Sequence, residues 1–310
     1  MNIDYFNDKH ALTIPWVESP FFYDLLDNSD LSQQDKKIAT KYHEDGYLVV
    51  DLGIDDKFID ALIADVRHFV SVDDANRQVE YEYNDGPRPF QLWKKSDYVR
   101  ELTLNTNITS TLKMLYGRKA FPFSTINFLK GTEQPLHSDT IHFHSIPQLW
   151  MVGVWIAFED MDESNGTLRV VPGSHKWGTY DYNTLNFEHP DSIEDGYTKN
   201  YTKYEHFVRS LIKCKKATEM PVRIKKGQAL IWASNLLHGG IPIKDSNRTR
   251  KSQAIHYFFK GCQKYYSPMF SSPFTGEYAS KWCTADNNIE TYTKNGEVKI
   301  FDKILKKEIK

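Results

Sequence analysis

His137-Ser138-Asp139 follows the turn-forming run Gly131-Thr132-Glu133-Gln134-Pro135, and His238 stands about a hundred residues further on, in Asn235-Leu236-Leu237-His238-Gly239-Gly240. Two imidazoles and one carboxylate form a 2-His-1-carboxylate triad, which leaves adjacent metal positions open for a bidentate co-substrate and dioxygen. On an extended chain, residues two apart project to the same face, so His137 and Asp139 can share one metal while Ser138 points away. His142 and His144 offer another choice of ligands, including a zinc site, and spacing alone leaves that choice open.

Arg250 follows His238 by 12 positions, in Asn247-Arg248-Thr249-Arg250-Lys251-Ser252. If a strand begins here, Arg250, Ser252, Ala254, His256 and Phe258 share one face while Lys251 and Gln253 lie opposite. Arg250 then points inward, where a buried guanidinium needs a planar partner such as a carboxylate. Arg248 has the same parity and is its rival.

Positioning such groups requires a rigid frame. Short β-rich runs at 121–129, 149–158, 167–171, 221–224, 228–232 and 252–259, bounded by turn residues, predict a sandwich or barrel rather than alternating βαβ units. The expected fold class is mainly β with flanking helices: a double-stranded β-helix, the jelly roll of cupin-like proteins. Residues 1–120 form a mainly helical N-terminal part, with helices at 32–43, 55–70 and 103–116 around a strand at 46–50. Residues 121–260 form the jelly-roll core, interrupted at 176–219 by a polar and aromatic segment that is a candidate lid or a packed insertion. Residues 261–310 are a C-terminal extension whose lysine-rich end, 294–310, reads as a solvated tail or edge. The whole reads as a single domain.

Together these residues resemble the phytanoyl-CoA dioxygenase family of Fe(II)/2-oxoglutarate-dependent oxygenases. The resemblance is carried by Leu136-His137-Ser138-Asp139, the Val154-Trp155 strand, the run Asn165-Gly166-Thr167-Leu168-Arg169-Val170-Val171-Pro172-Gly173-Ser174-His175-Lys176, and His238 followed by Arg250. His43-Glu44-Asp45-Gly46-Tyr47-Leu48-Val49-Val50 looks like the family's N-terminal motif. The resemblance implies that His137, Asp139 and His238 bind Fe(II), that Arg250 holds the distal carboxylate of 2-oxoglutarate, and that Trp155 lies beside this co-substrate. Gly240 departs from family members that carry a hydroxyl residue there, so Thr249 or Asn127 is expected to supply that hydrogen bond. The implied reaction consumes O2, releases succinate and CO2, and hydroxylates a small-molecule substrate. Asp139, where related halogenases place a small residue, favours hydroxylation over halogenation. The alternative is a non-catalytic jelly-roll module that binds a metal or ligand.

Lys and Arg number 39 against 41 Asp and Glu, so no global basic field favours nucleic acid. The longest apolar run, 149–158, has about half the roughly 20 residues of a membrane-spanning helix. The N-terminal residues show neither a basic segment nor an apolar stretch, and a cytoplasmic monomer or small homo-oligomer is expected. Cys214, Cys262 and Cys283 are too few and too widely spaced for a disulfide framework and are expected to be reduced.

Overall fold

The structure, a computed structural model, describes residues 14–76, 89–187, 200–270, 289–294, 297–302 and 307–309. Its centre is a five-stranded antiparallel sheet. The strands are β1 (Tyr47–Asp51), β2 (Ala120–Phe128), β4 (Met151–Ala157), β7 (Gln228–Ala233) and β9 (Ser252–Phe259), in the order β1-β7-β4-β9-β2. Along β9 the side chains alternate as the sequence predicts. Ile255, Tyr257 and Phe259 join the large core cluster beneath the helices, whereas Ala254 joins a second cluster on the opposite face. Strand β4 does the same, with Val152, Val154 and Ile156 on the helix side and Trp155 and Ala157 on the other. Both faces are therefore buried, which is why β4 reads as an unbroken apolar run.

A smaller sheet covers the inner face. It comprises β5 (Leu168–Val170), β6 (Met220–Pro221) and β8 (His238–Gly240) in the order β6-β5-β8. Leu168 and Val170 pack against Trp155, Leu230 and Trp232 of the large sheet. Strands β3 (His144–Ile146) and β10 (Lys264–Tyr266) pair separately. β3, β8 and β10 are three residues each, too short to show the alternation by which strands are read from sequence.

The helices back the large sheet. They are α1 (Phe22–Asp27), α2 (Gln33–Asp45), α3 (Asp56–Asn76), α4 (Asp97–Thr103) and α5 (Thr106–Tyr116). The single helix expected at 103–116 is cut short at its start, because the Asn105 side chain accepts from Asn107 N and Ile108 N and begins α5 anew. A sixth helix, α6 (Tyr201–Lys215), lies inside the segment expected to be a loop or insertion. Tyr201, Tyr204, Val208 and Ile212 recur at helical spacing and bury against Leu136, Ile141, Val171 and Leu237. Residues 188–199 of that segment, with His189 and Tyr197, lie outside the described residues, as does Cys283. No helix among the described residues is long and apolar enough to cross a membrane.

In the stretch read as a solvated tail or edge, the described residues form part of a three-stranded meander of β11 (Ile289–Lys294), β12 (Glu297–Asp302) and β13 (Lys307–Ile309).

Two family motifs meet at α2's end. His175 Nε2 donates to His43 O at 3.0 Å, and Gly173 N donates to Asp45 O at 2.9 Å. Gly46 ends α2 at φ +81°, and a Cβ there would lie 2.3 Å from His175 Nδ1. A side chain at Gly46 would incur a left-handed penalty of about 1–2 kcal/mol and an overpacking penalty of about 1–3 kcal/mol. Gly46→Ala is therefore expected to lower unfolding stability by about 2–5 kcal/mol, read as a lower urea midpoint with unchanged slope. A midpoint within error of wild type would show that His175 can move aside freely.

Candidate metal centre

The triad is assembled by main-chain pairing. His137 N donates to His238 O and His238 N donates to His137 O, both at 2.9 Å. Residues that exchange both bonds across an antiparallel pair send their side chains to the same side. Ser138 remains extended, and Asp139 opens a 3₁₀ turn, Asp139–Ile141. Ser138 turns away: its N–H donates to Tyr204 Oη of α6 at 3.0 Å, and its hydroxyl lies 2.7 Å from Thr140 Oγ1.

The donor atoms of His137, Asp139 and His238 lie within 4.8 Å of one another, the only such group among the described residues. Asp139 Oδ1 is 3.9 Å from His137 Nε2 and 3.7 Å from His238 Nε2. Each imidazole is oriented by a backbone carbonyl two residues earlier: His137 Nδ1 meets Pro135 O at 2.9 Å, and His238 Nδ1 meets Leu236 O at 3.0 Å. A carbonyl only accepts, so the proton sits on Nδ1 and the Nε2 lone pair is left for a metal. Gln134 Nε2 is 3.3 Å from His137 Nε2, where its amide donates to that lone pair.

Electrostatics favour the ligand forms. Burial pushes the His137 imidazole down to about 3, and nearby His238 adds to the effect. Burial alone would raise the Asp139 carboxyl, but His238, His256, His137 and the Trp232 indole outweigh it and hold the group below its ordinary value. Neutral imidazole and ionised carboxylate are the forms that bind a metal.

Neither histidine offered as an alternative joins this set. His142 Nε2 is 3.2 Å from Tyr201 Oη, with its ring 5.7 Å from that of His137. His144 Nδ1 is 3.2 Å from Tyr266 Oη and 4.0 Å from the Asp181 carboxylate.

Arg250 is 1% exposed, so the guanidinium is wholly inside the protein. It donates to Gly166 O at 2.9 Å and Thr132 Oγ1 at 3.2 Å, and its Cζ lies 5.5 Å from the Trp155 ring. Trp155 thus stands beside Arg250 on the inner face of β4. Arg248 instead pairs with Asp162 at 2.9 Å, and Thr249 Oγ1 donates to Glu159.

Asn127 is a correction. It is the cross-strand partner of Gln253, donates to Gln253 Oε1 at 3.1 Å, and Gln253 reaches Thr103 of α4. That places Asn127 on the helix-facing side of the sheet, opposite Arg250 and His256. The hydroxyl beside Arg250 belongs to Thr132. A Cβ on Gly240 would lie 2.0 Å from Thr132 O, so the close passage of residues 132–136 over β8 requires glycine at that position. The segment from Thr132 to His137 consequently touches Arg250 at one end and pairs with His238 at the other.

Trp232, His256, Thr132 and Tyr204 are site neighbours that motif reading misses. His256 shares the parity of Arg250, and Tyr204 belongs to a helical periodicity, so both leave a trace in the sequence.

The phytanoyl-CoA dioxygenase (PhyH) family profile matches residues 42–252, which include the triad and Arg250. The chain belongs to the phytanoyl-CoA dioxygenase family. It is 28% identical over 137 residues to the peroxisomal phytanoyl-CoA dioxygenase of Mus musculus, covering 43% of this chain and 36% of that protein. It is 27% identical over 237 residues to a phytanoyl-CoA dioxygenase domain-containing protein 1 homolog of Dictyostelium discoideum, covering 73% of each. The chain spans about a third of the length of the first curated relatives it matches.

Solved structures share the fold of this family member. EctD from S. alaskensis with bound Fe has a TM-score of 0.56 at 18% identity, over 75% of this chain and 78% of that one. The epimerase SnoN in complex with Fe3+, alpha ketoglutarate and nogalamycin RO has a TM-score of 0.52 at 16% identity, over 78% and 91%. The fold they have in common is the double-stranded β-helix expected from the sequence.

Proposed function

We propose that this protein is an Fe(II)- and 2-oxoglutarate-dependent dioxygenase that hydroxylates an aliphatic C–H bond of a small-molecule substrate. The observation that carries this reading is the buried triad, with two imidazole lone pairs and one carboxylate oxygen facing one point. A structural zinc site closes its shell with four protein ligands, whereas three leave room for reactants. That contrast weighs against a non-catalytic metal-binding module.

In this reading His137, Asp139 and His238 hold Fe(II), and Arg250 with Thr132 receives the distal carboxylate of 2-oxoglutarate. Bound Fe(II) would supply activation of dioxygen coupled to decarboxylation of 2-oxoglutarate to succinate and CO2. The chain's contribution is placement. Arg250 offers a planar two-pronged donor, and Trp155 walls it from solvent. The closed interior strengthens the ion pair that the guanidinium would form with the co-substrate.

The test is reconstitution with Fe(II) and 2-oxoglutarate against a metabolite library, scored for succinate and for a product heavier by one oxygen. Fe(II)-dependent succinate with a matching product supports the proposal. Tightly held zinc and no succinate with any compound would favour the inert module.

A further inference from the structure

The second oxygen of Asp139 has its own set of contacts. Oδ1 faces the two ligand imidazoles, whereas Oδ2 accepts from Trp232 Nε1 at 2.7 Å and lies 3.7 Å from His256 Nε2. Trp232 and Asp139 are 2% and 3% exposed, so this bond lies away from bulk solvent. The indole is a donor with no accepting alternative, and a bond from it to a carboxylate is of the strong, charge-assisted kind.

The placement of Trp232 depends on a neighbouring strand. Gly153 of β4 is paired with Trp232 on one side and His256 on the other, forming one row across three strands. A Cβ on Gly153 would fall 2.1 Å from Trp232 Cε2 and 2.5 Å from its Nε1. The indole therefore lies directly on the β4 backbone. Glycine within a strand is otherwise unfavourable and marks such a close approach. Packing alone would be served by any large apolar ring, but it would not require an N–H aimed at Oδ2.

We infer that Trp232, seated on Gly153, is a positioning residue that turns Asp139 so that only Oδ1 is offered to the metal. This rests on the iron reading proposed above. A carboxylate free to rotate can bind a cation through both oxygens. Doing so here would take a coordination position that the co-substrate or dioxygen needs. Trp232 holds Oδ2 out of reach, and His256 occupies the other flank of that oxygen.

The experiment is Co(II) titration of the full chain, followed by visible absorption, for wild type, Trp232→Phe and Gly153→Ala. Trp232→Phe keeps an aromatic ring and removes the donor. Its Co(II) affinity is expected to change by about 10–100-fold, the size of effect seen when partners of metal ligands are removed. Its absorption band should also change shape as the second oxygen enters the coordination sphere. Gly153→Ala should reproduce both changes by displacing the indole, and adding it to Trp232→Phe should have much less effect than in wild type. Wild-type affinity and spectrum in Trp232→Phe would overturn the inference and leave Trp232 as packing. No Co(II) or Fe(II) binding by wild type would instead overturn the iron reading, and this inference with it. Should either variant fail to fold, indole-15N NMR of wild type decides the matter: a slowly exchanging Trp232 N–H that shifts on Co(II) addition supports the role, and a freely exchanging one overturns it.

Discussion

His238→Ala, His137→Ala and Asp139→Ala are each expected to reduce Fe(II)-dependent succinate release to the buffer background while the protein keeps its native circular dichroism. The three side chains converge from two segments, and removing any one leaves two donors. The fold survives because His137 and His238 are joined through their main-chain atoms, which an alanine retains. All three residues are buried, so some stability is lost with the truncated imidazoles, but neither large core cluster includes them. Anaerobic Fe(II) titration separates loss of metal from loss of turnover. Full activity in His238→Ala would refute the triad and direct attention to His142, whose ring also lies near that of His137.

Arg250→Lys is expected to weaken 2-oxoglutarate binding by about 10–100-fold while Fe(II) affinity stays at the wild-type level. Lysine preserves the charge but loses the planar fork. A hydrogen bond to a charged group is worth about 1.5–3 kcal/mol, which converts to that range of dissociation constants. Arg248→Lys serves as the control, because Arg248 is partly exposed and pairs with Asp162 at the surface, where such pairs contribute little. Equilibrium binding of 2-oxoglutarate to the Fe(II)-loaded protein under nitrogen measures both. The reverse ranking would mean that Arg248, not Arg250, receives the co-substrate.

The metal ligands and Arg250 are legible in the sequence for a simple reason. His137 and Asp139, two apart on extended chain, and Arg250, in register with an eight-residue strand, sit where local periodicity fixes their direction, whereas His238, on a three-residue strand, is read from its motif alone. Asn127 fails because its direction depends on how β2 pairs with β9, and nothing local reveals that register. Thr132 fails for a related reason, since its hydroxyl matters only once residues 132–136 cross β8 at a distance that excludes a side chain from Gly240. Trp232 is hidden among apolar neighbours in Leu230-Ile231-Trp232-Ala233, where an aromatic residue needs no purpose beyond burial. Helix α6 shows its spacing in Tyr201, Tyr204, Val208 and Ile212, but the aromatic residues upstream, from Trp177 to Phe187, blur where a periodic segment begins.

The paired backbone bonds between His137 and His238 join parts of the chain that are far apart in sequence, and they owe nothing to an ion. In small zinc domains the metal is the organiser, and its departure unfolds the chain. Here the segments that carry two of the three ligands are also joined by a β-bridge, so main-chain bonds as well as ligand side chains hold them side by side.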